Sequence, residues 1–201
     1  MITIIDYGMG NLGAIHNMFR RIGVLSTISS DLTVIGKAQR ILLPGVGAFD
    51  AAMKRIGETG LHSILDHKAK IEKIPVLGIC LGMQLLTRSS EEGQLPGLGW
   101  IEAETKRFQA APDLKVPHMG WNLVEKTQTS PLTAGLPDDA RFYFVHSFYV
   151  TVDDQKNSIL KTSYGLKFDA AIQQDNIFGA QFHPEKSHKF GMQLLSDFAK
   201  V

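Results

Sequence analysis

Three residues from two distant parts of the chain have the chemistry of an acyl-transfer site, and Cys80 comes first. It sits in Gly78-Ile79-Cys80-Leu81-Gly82, between the apolar run Pro75 to Ile79 and a helix-forming stretch from Leu81 to Arg88. A nucleophile flanked by glycines two residues to either side, between a strand and a helix, has the form of a nucleophile elbow. The tight turn crowds its neighbours, which is why glycines stand there. It lifts the thiol off the sheet and places the backbone at a helix N-terminus. There the dipole favours a thiolate, and the Leu81 amide points where an oxyanion would form. An inert buried thiol is the competing reading, because free cysteines are among the most buried residues.

A thiolate needs a base, and sequence spacing need not reveal it. Of the seven histidines, His183 follows the strand-like run Phe178 to Phe182 and begins His183-Pro184-Glu185. Pro184 stops the strand, and Glu185 is placed to orient an imidazole and stabilise its protonated form. Alone, the tripeptide reads as a solvated loop; beside the Cys80 elbow it reads as the rest of a triad. Pro44-Gly45-Val46-Gly47-Ala48-Phe49 is a third element, whose glycines let backbone amides approach a ligand. Val46 or Gly47 then supplies a second oxyanion donor. A phosphate cradle competes weakly, since no lysine and hydroxyl follow at P-loop spacing, and without Cys80 the segment would read as a plain turn. With one cysteine and no His-Glu-x-x-His pattern, neither a metal nor another cofactor is expected.

These residues must be brought together by an α/β scaffold. Ile2 to Ile5, Val24 to Ile28, Arg40 to Leu43 and Pro75 to Ile79 read as short buried strands. Helical stripes at Leu12/Ile15/Phe19/Ile22, Phe49/Ala52/Met53/Ile56 and Leu61/Ile64/Leu65/Lys68 lie between them. Such alternation implies a central, mostly parallel sheet flanked by helices, with ligands bound beyond the carboxyl ends of its strands. Asp6, Pro44 to Gly47 and Cys80 therefore share one edge. The second half is β-rich. Its strands read as Trp121 to Glu125, Arg141 to Val145, Tyr149 to Val152, Ser158 to Thr162, Ala170 to Gln173 and Ile177 to Gln181. Asp175-Asn176 is a hairpin turn, Glu104 to Lys115 and Tyr164 to Phe168 are surface loops, and a helix starts near Ser187. No repeat or linker divides the chain, so residues 1–201 are expected to form a single domain.

Composition narrows the function classes. The 201 residues are 44% hydrophobic and 20% charged with a net charge of +1, which gives no reason to expect nucleic acid or a membrane surface as partner. A single cysteine allows no intramolecular disulfide and fits a reducing, cytoplasmic setting. The N-terminus lacks a signal-peptide pattern, and no apolar run approaches the roughly 20 residues that span a bilayer.

Gly-Ile-Cys-Leu-Gly-Met-Gln at 78 to 84 with Phe-His-Pro-Glu at 182 to 185 resembles the class I, or triad, glutamine amidotransferases. Further segments are Asp6-Tyr-Gly-Met-Gly-Asn-Leu12, Pro44 to Phe49, Pro117-His-Met-Gly-Trp-Asn122 and Tyr143-Phe-Val-His-Ser147. They are similar to the branch of that family serving as glutaminase subunits of imidazole glycerol phosphate synthase in histidine biosynthesis. The matches run in order from residue 6 to residue 188. The Cys80 and His183 motifs specify only the family, and the segment at 117 to 122 with the N-terminal segment at 6 to 12 points to the branch.

The resemblance implies a flavodoxin-like amidotransferase fold and a set of roles. Cys80 is expected as nucleophile, His183 as general base and acid, and Glu185 as the orienting carboxylate. Leu81 and the Val46/Gly47 segment would form the oxyanion hole. Gln84 and Glu92, with backbone at His146, Ser147 and Phe148, would hold the glutamine amino-acid moiety. Tyr143, His118, Trp121, Asn122 and Lys186 would lie near a subunit interface. Phe148 stands where the family more often has tyrosine, which removes a side-chain hydrogen bond there. The implied activity is hydrolysis of glutamine to glutamate and ammonia through a cysteinyl thioester. Ammonia would pass to a separate cyclase subunit, a (β/α)8 barrel that forms imidazole glycerol phosphate and an aminoimidazole carboxamide ribotide. A glutaminase for another synthase and an inactive regulatory module on the same fold are the alternatives.

Overall fold

The computed structural model describes residues 1–110, 112 and 114–201. The first half alternates as the apolar runs dictate: β1 (Ile2–Ile5), α1 (Leu12–Arg21), β2 (Ser26–Ser29), α2 (Leu32–Gly36), β3 (Ile41–Gly45), α3 (Phe49–Glu58), α4 (Leu61–Asp66), β4 (Val76–Cys80) and α5 (Leu81–Leu85). The remainder comprises β5 (Ala103–Arg107), β6 (His118–Leu123), β7 (Glu125–Lys126), β8 (Arg141–His146), β9 (Phe148–Val152), β10 (Ser158–Tyr164), β11 (Leu166–Gln174), β12 (Ile177–Ala180) and α6 (His188–Phe198).

Among these, ten strands form one mixed sheet. Neighbours run β2-β1-β3-β4-β12, all parallel, then continue antiparallel through β11, β10 and β7. A branch runs from β11 through β9 to β5, and β6 with β8 makes a separate antiparallel pair. The β-rich second half thus extends the parallel nucleus. Its last strand, β12, lies parallel to β4 and brings the chain after residue 180 beside Cys80. Along the buried strands successive residues face opposite sides, so Leu42, Leu77 and Phe178 join one core while Ile41, Leu43 and Val76 join another across the sheet.

Several expectations are corrected. The helix after Cys80 ends at Leu85, three residues before Arg88. The segment from Leu98 to Ile101 folds back there: Leu98 N–H reaches the Leu85 carbonyl at 2.8 Å, and Trp100 and Ile101 both donate to Leu86. Those carbonyls are satisfied without another helical turn. Glu104 to Arg107 is an edge strand, with Ala103 and Thr105 turned inward and charged residues outward; residues 111 and 113 of that expected loop lie outside the described residues. Tyr164 to Phe168 is a hairpin tip turning at Gly165, whose φ is +70°. The short α2, capped by Asp31 on Thr33 and Val34 N–H, was not anticipated. The Asp175-Asn176 turn is as expected, with Gln174 opposite Ile177.

Candidate active site

Cys80 closes β4, with Gly45 of β3 opposite it on one side. On the other side Ala180 of β12 lies opposite Ile79, so the next residue, Gln181, comes beside Cys80. The backbone of Cys80 has φ +53° and ψ −110°, a region that side-chain-bearing residues rarely occupy. Packing explains the flanking glycines. A Cβ on Gly82 would lie 1.9 Å from the Leu43 carbonyl oxygen, and one on Gly78 would lie 2.5 Å from the Gly82 carbonyl oxygen. The elbow reading of the sequence thus has a steric basis. α5 is only five residues long, a short dipole, and side chains also surround the thiol.

The strongest of those neighbours comes from the turn after β12. Phe182 is fully buried and stacks on Phe142 of β8 with centroids 3.8 Å apart. His183 N–H donates to the Tyr143 carbonyl at 2.9 Å. Ser187 Oγ then bridges, donating to the His183 carbonyl and accepting from Tyr143 N–H. This clamp to β8 fixes the imidazole. His183 Nδ1 lies 2.8 Å from Glu185 Oε1, and both side chains are almost fully buried. The carboxylate accepts, so Nδ1 carries a proton. Nε2 is buried without a geometrically defined hydrogen-bond partner among the described residues, and lies close enough to Cys80 for the two groups to interact electrostatically. Burial opposes protonation of His183, but Cys80 and Glu185 together outweigh it and hold its pKa up at about 9.

A cleft of about 350 Å³ opens over these groups. Val46, Gly47, Leu81, Gln84 and Glu92 line it, together with His146 to Phe148 and Lys186. Gly47 has φ +114°, and a Cβ there would meet Met9 Cε at 2.7 Å, so this loop conformation is reserved for glycine. Glu92 Oε2 accepts from Phe49 N–H at 3.0 Å, capping α3 directly after the glycine loop. Burial raises the Glu92 pKa, the Phe49 N–H partly offsets this, and nearby Asp50 adds to it. Gln84 Nε2 donates to the Phe148 carbonyl and to Gln181 Oε1, each at 3.1 Å. The Phe148 carbonyl also accepts from His146 Nδ1 at 2.7 Å, so both of its lone pairs are taken; Ser147 O accepts from Phe108 N–H. The Phe148 ring lies beneath the Arg107 guanidinium at 5.9 Å.

The expected interface residues divide. Trp121 is 45% exposed and stacks on His188, and the Lys186 ammonium lies over the Tyr143 ring, beside the cleft. Asn122 is half-buried. His118 is buried, stacked between Phe144 and Tyr164, with Nδ1 2.9 Å from His146 Nε2. Burial pushes His118 down to about 4. For His146, burial leads, the Phe148 carbonyl partly compensates, and the value is about 3. Both are therefore neutral near pH 7.

Four contributors escaped the sequence reading. Gln181 is fully buried and donates to Cys80 Sγ at 3.8 Å. Its signal was its place between the strand ending at Ala180 and the Phe-His-Pro-Glu segment. Tyr7 donates to the Pro44 carbonyl at 2.6 Å, buttressing the glycine loop, and its pKa is raised mainly by burial and secondarily by Cys80. Met119 and Leu123 are 61% and 59% exposed and flank Trp121 on one face of β6, a stripe visible as i, i+2, i+4 spacing.

The chain is similar to known proteins over its whole length. The chain is 53% identical over 200 residues to imidazole glycerol phosphate synthase subunit HisH 2 of Methanococcus maripaludis, covering 100% of this chain and 99% of that protein. It is 48% identical to the protein of the same name from Pseudomonas aeruginosa, with both chains covered completely. A crystal structure of a glutamine amidotransferase superposes over all of both chains with a TM-score of 0.78 at 16% identity, a likeness of fold. The family model for glutamine amidotransferase class I matches residues 3–201, and with it the expected fold is established: this chain belongs to the class I glutamine amidotransferase family.

Proposed function

We propose that this chain is the glutaminase subunit of an imidazole glycerol phosphate synthase. In this reading it hydrolyses glutamine at Cys80 and passes ammonia to a separate cyclase subunit, a (β/α)8 barrel, in the cytoplasm. The observation that carries the chemistry is the buried His183–Glu185 pair at 2.8 Å, facing the sole cysteine across one cleft. The branch assignment rests on full-length similarity to proteins of that name.

The Cys80 thiolate attacks the carboxamide carbon of glutamine, and the Leu81 amide with the Val46/Gly47 backbone receives the oxyanion. His183, held protonated by its surroundings at neutral pH, donates its Nε2 proton to the departing ammonia. Neutral His183 then accepts a proton from water, which attacks the γ-glutamyl thioester and releases glutamate. Glu185 keeps the imidazole oriented throughout. Glu92 and Gln84 line the same cleft and bind the amino-acid end of the substrate. Losing one oxyanion donor costs about 10² to 10³ in rate, so a peptide flip at Val46, driven by a ligand-loaded cyclase, would gate the reaction. Ammonia-coupled turnover with and without the cyclase subunit tests this. Equal glutaminase rates in the two conditions contradict the gating, and activity retained in Cys80→Ala contradicts the nucleophile.

A further inference from the structure

The hydrogen bonds around Cys80 fix the orientation of a residue that the mechanism above leaves unused. The Phe148 carbonyl can only accept, so Gln84 must turn Nε2 toward it at 3.1 Å. The same Nε2 then faces Gln181, which must present Oε1, also at 3.1 Å. Gln181 is left with Nε2 pointing at Cys80 Sγ, 3.8 Å away. Each amide orientation follows from the one before, starting from a main-chain oxygen whose chemistry is not in doubt. The parallel register sets the position as well, because Ala180 opposite Ile79 puts Gln181 next to Cys80.

We propose that Gln181 is a positioning residue for the nucleophile. Its carboxamide N–H holds the sulfur in place and favours the thiolate over the thiol. This rests on the reading of Cys80 as nucleophile. A thiol is a weak acceptor, whereas a thiolate is a strong one, so a fixed N–H donor discriminates between the two states. Gln181 and Gln84 are both buried, so neither amide can turn to water if the order is disturbed. The other titratable groups near the sulfur are His183, backed by Glu185, and Tyr7 from beyond β1; Glu92 and Lys186 line the same cleft.

Cys80 is the only cysteine, so iodoacetamide alkylation of the full-length protein, followed against pH, reads this thiol alone. In Gln181→Met, of similar length but without a donor, the half-maximal pH should rise, and alkylation at neutral pH should slow about tenfold, the loss expected for one hydrogen bond to a charged group. The limiting rate at high pH should not fall. Gln181→Glu should shift further, because a carboxylate then faces the sulfur. Gln84→Glu tests the same chain without touching Gln181: it would reverse the Gln181 amide, turn Oε1 to Cys80, and raise the half-maximal pH. A folded Gln181→Met with the wild-type profile overturns the proposal. If that variant does not fold, a wild-type profile in Gln84→Glu does so. Neither readout depends on glutamine turnover. Loss of the nucleophile reading, seen as glutaminase activity in Cys80→Ala, is therefore distinguishable from loss of this one.

Discussion

Glu92 accepts a hydrogen bond from the backbone N–H of Phe49 at 3.0 Å, across 43 positions of sequence. The carboxylate proposed to bind the substrate ammonium is thereby tied to the residue two positions beyond Gly47. Substrate binding and the geometry of the oxyanion loop share one side chain. Glu92→Gln keeps an oxygen for the cap, so stability should change by under about 1 kcal/mol, while KM for glutamine rises tenfold or more. Glu92→Ala should lose the cap as well, costing about 1 kcal/mol and lowering kcat. Steady-state kinetics with urea unfolding of both variants separates the two roles.

His183, held protonated by Cys80 and then by Glu185, makes stability depend on pH in a definite direction. His183 titrates at about 9 in the folded protein against 6.5 as the ordinary value. A raised folded value means the native state binds the proton more tightly. Its contribution is fully present below about pH 6.5 and is lost as pH climbs through about 9, and it is of order 3 kcal/mol before solvent screening. The difference in unfolding free energy between wild type and Glu185→Gln should therefore shrink between pH 6 and pH 10. A constant difference would mean that Glu185 does not hold the proton on His183.

Strain at the nucleophile gives a separate expectation. With φ +53° and ψ −110°, Cys80 carries a backbone cost that alanine retains and glycine relieves. Cys80→Gly should be more stable than Cys80→Ala by about 1 kcal/mol, although glycine loses more entropy on folding. Thermal unfolding of the two inactive proteins checks it. Equal stabilities would place the turn in a relaxed conformation.

The Met119, Trp121 and Leu123 stripe on β6 bears on the partner. β6 pairs with β8, and β8 is clamped through Tyr143 and Ser187 to His183, so a subunit seated on the stripe would press on the element that holds the base. Met119→Asp with Leu123→Asp changes only exposed side chains, so unfolding should move by under about 1 kcal/mol. Stimulation of glutaminase activity by the cyclase should be lost, while the unstimulated rate is kept. Full stimulation of the double variant would exclude this face as the docking surface.

Much of the site was legible because its residues are punctuation. Gly78 and Gly82 flank the strand-to-helix turn, Pro184 stops a strand, and Cys80 and His183 lie just beyond two apolar runs. The neighbours were harder to see, since they depend on which strands pair. Nothing local says that β12 lies against β4, yet that pairing alone sets Gln181 beside Cys80. Likewise Ala103 to Arg107 is charged at alternate positions and read as a loop until β9 paired with it. The burial of His118 was not visible in its own segment, where its neighbours are Pro117 and Met119. The stack between Phe144 and Tyr164 that buries it joins β6, β8 and β10, which no window of sequence spans.

The central claim is that glutamine is cleaved through a covalent bond to Cys80. Acid-quenched protein, incubated with glutamine in the presence of the cyclase subunit, should carry a γ-glutamyl thioester on the peptide containing Cys80. That adduct and ammonia release should both vanish in Cys80→Ala. Ammonia release at the wild-type rate from Cys80→Ala, or an adduct on any other residue, would contradict the account.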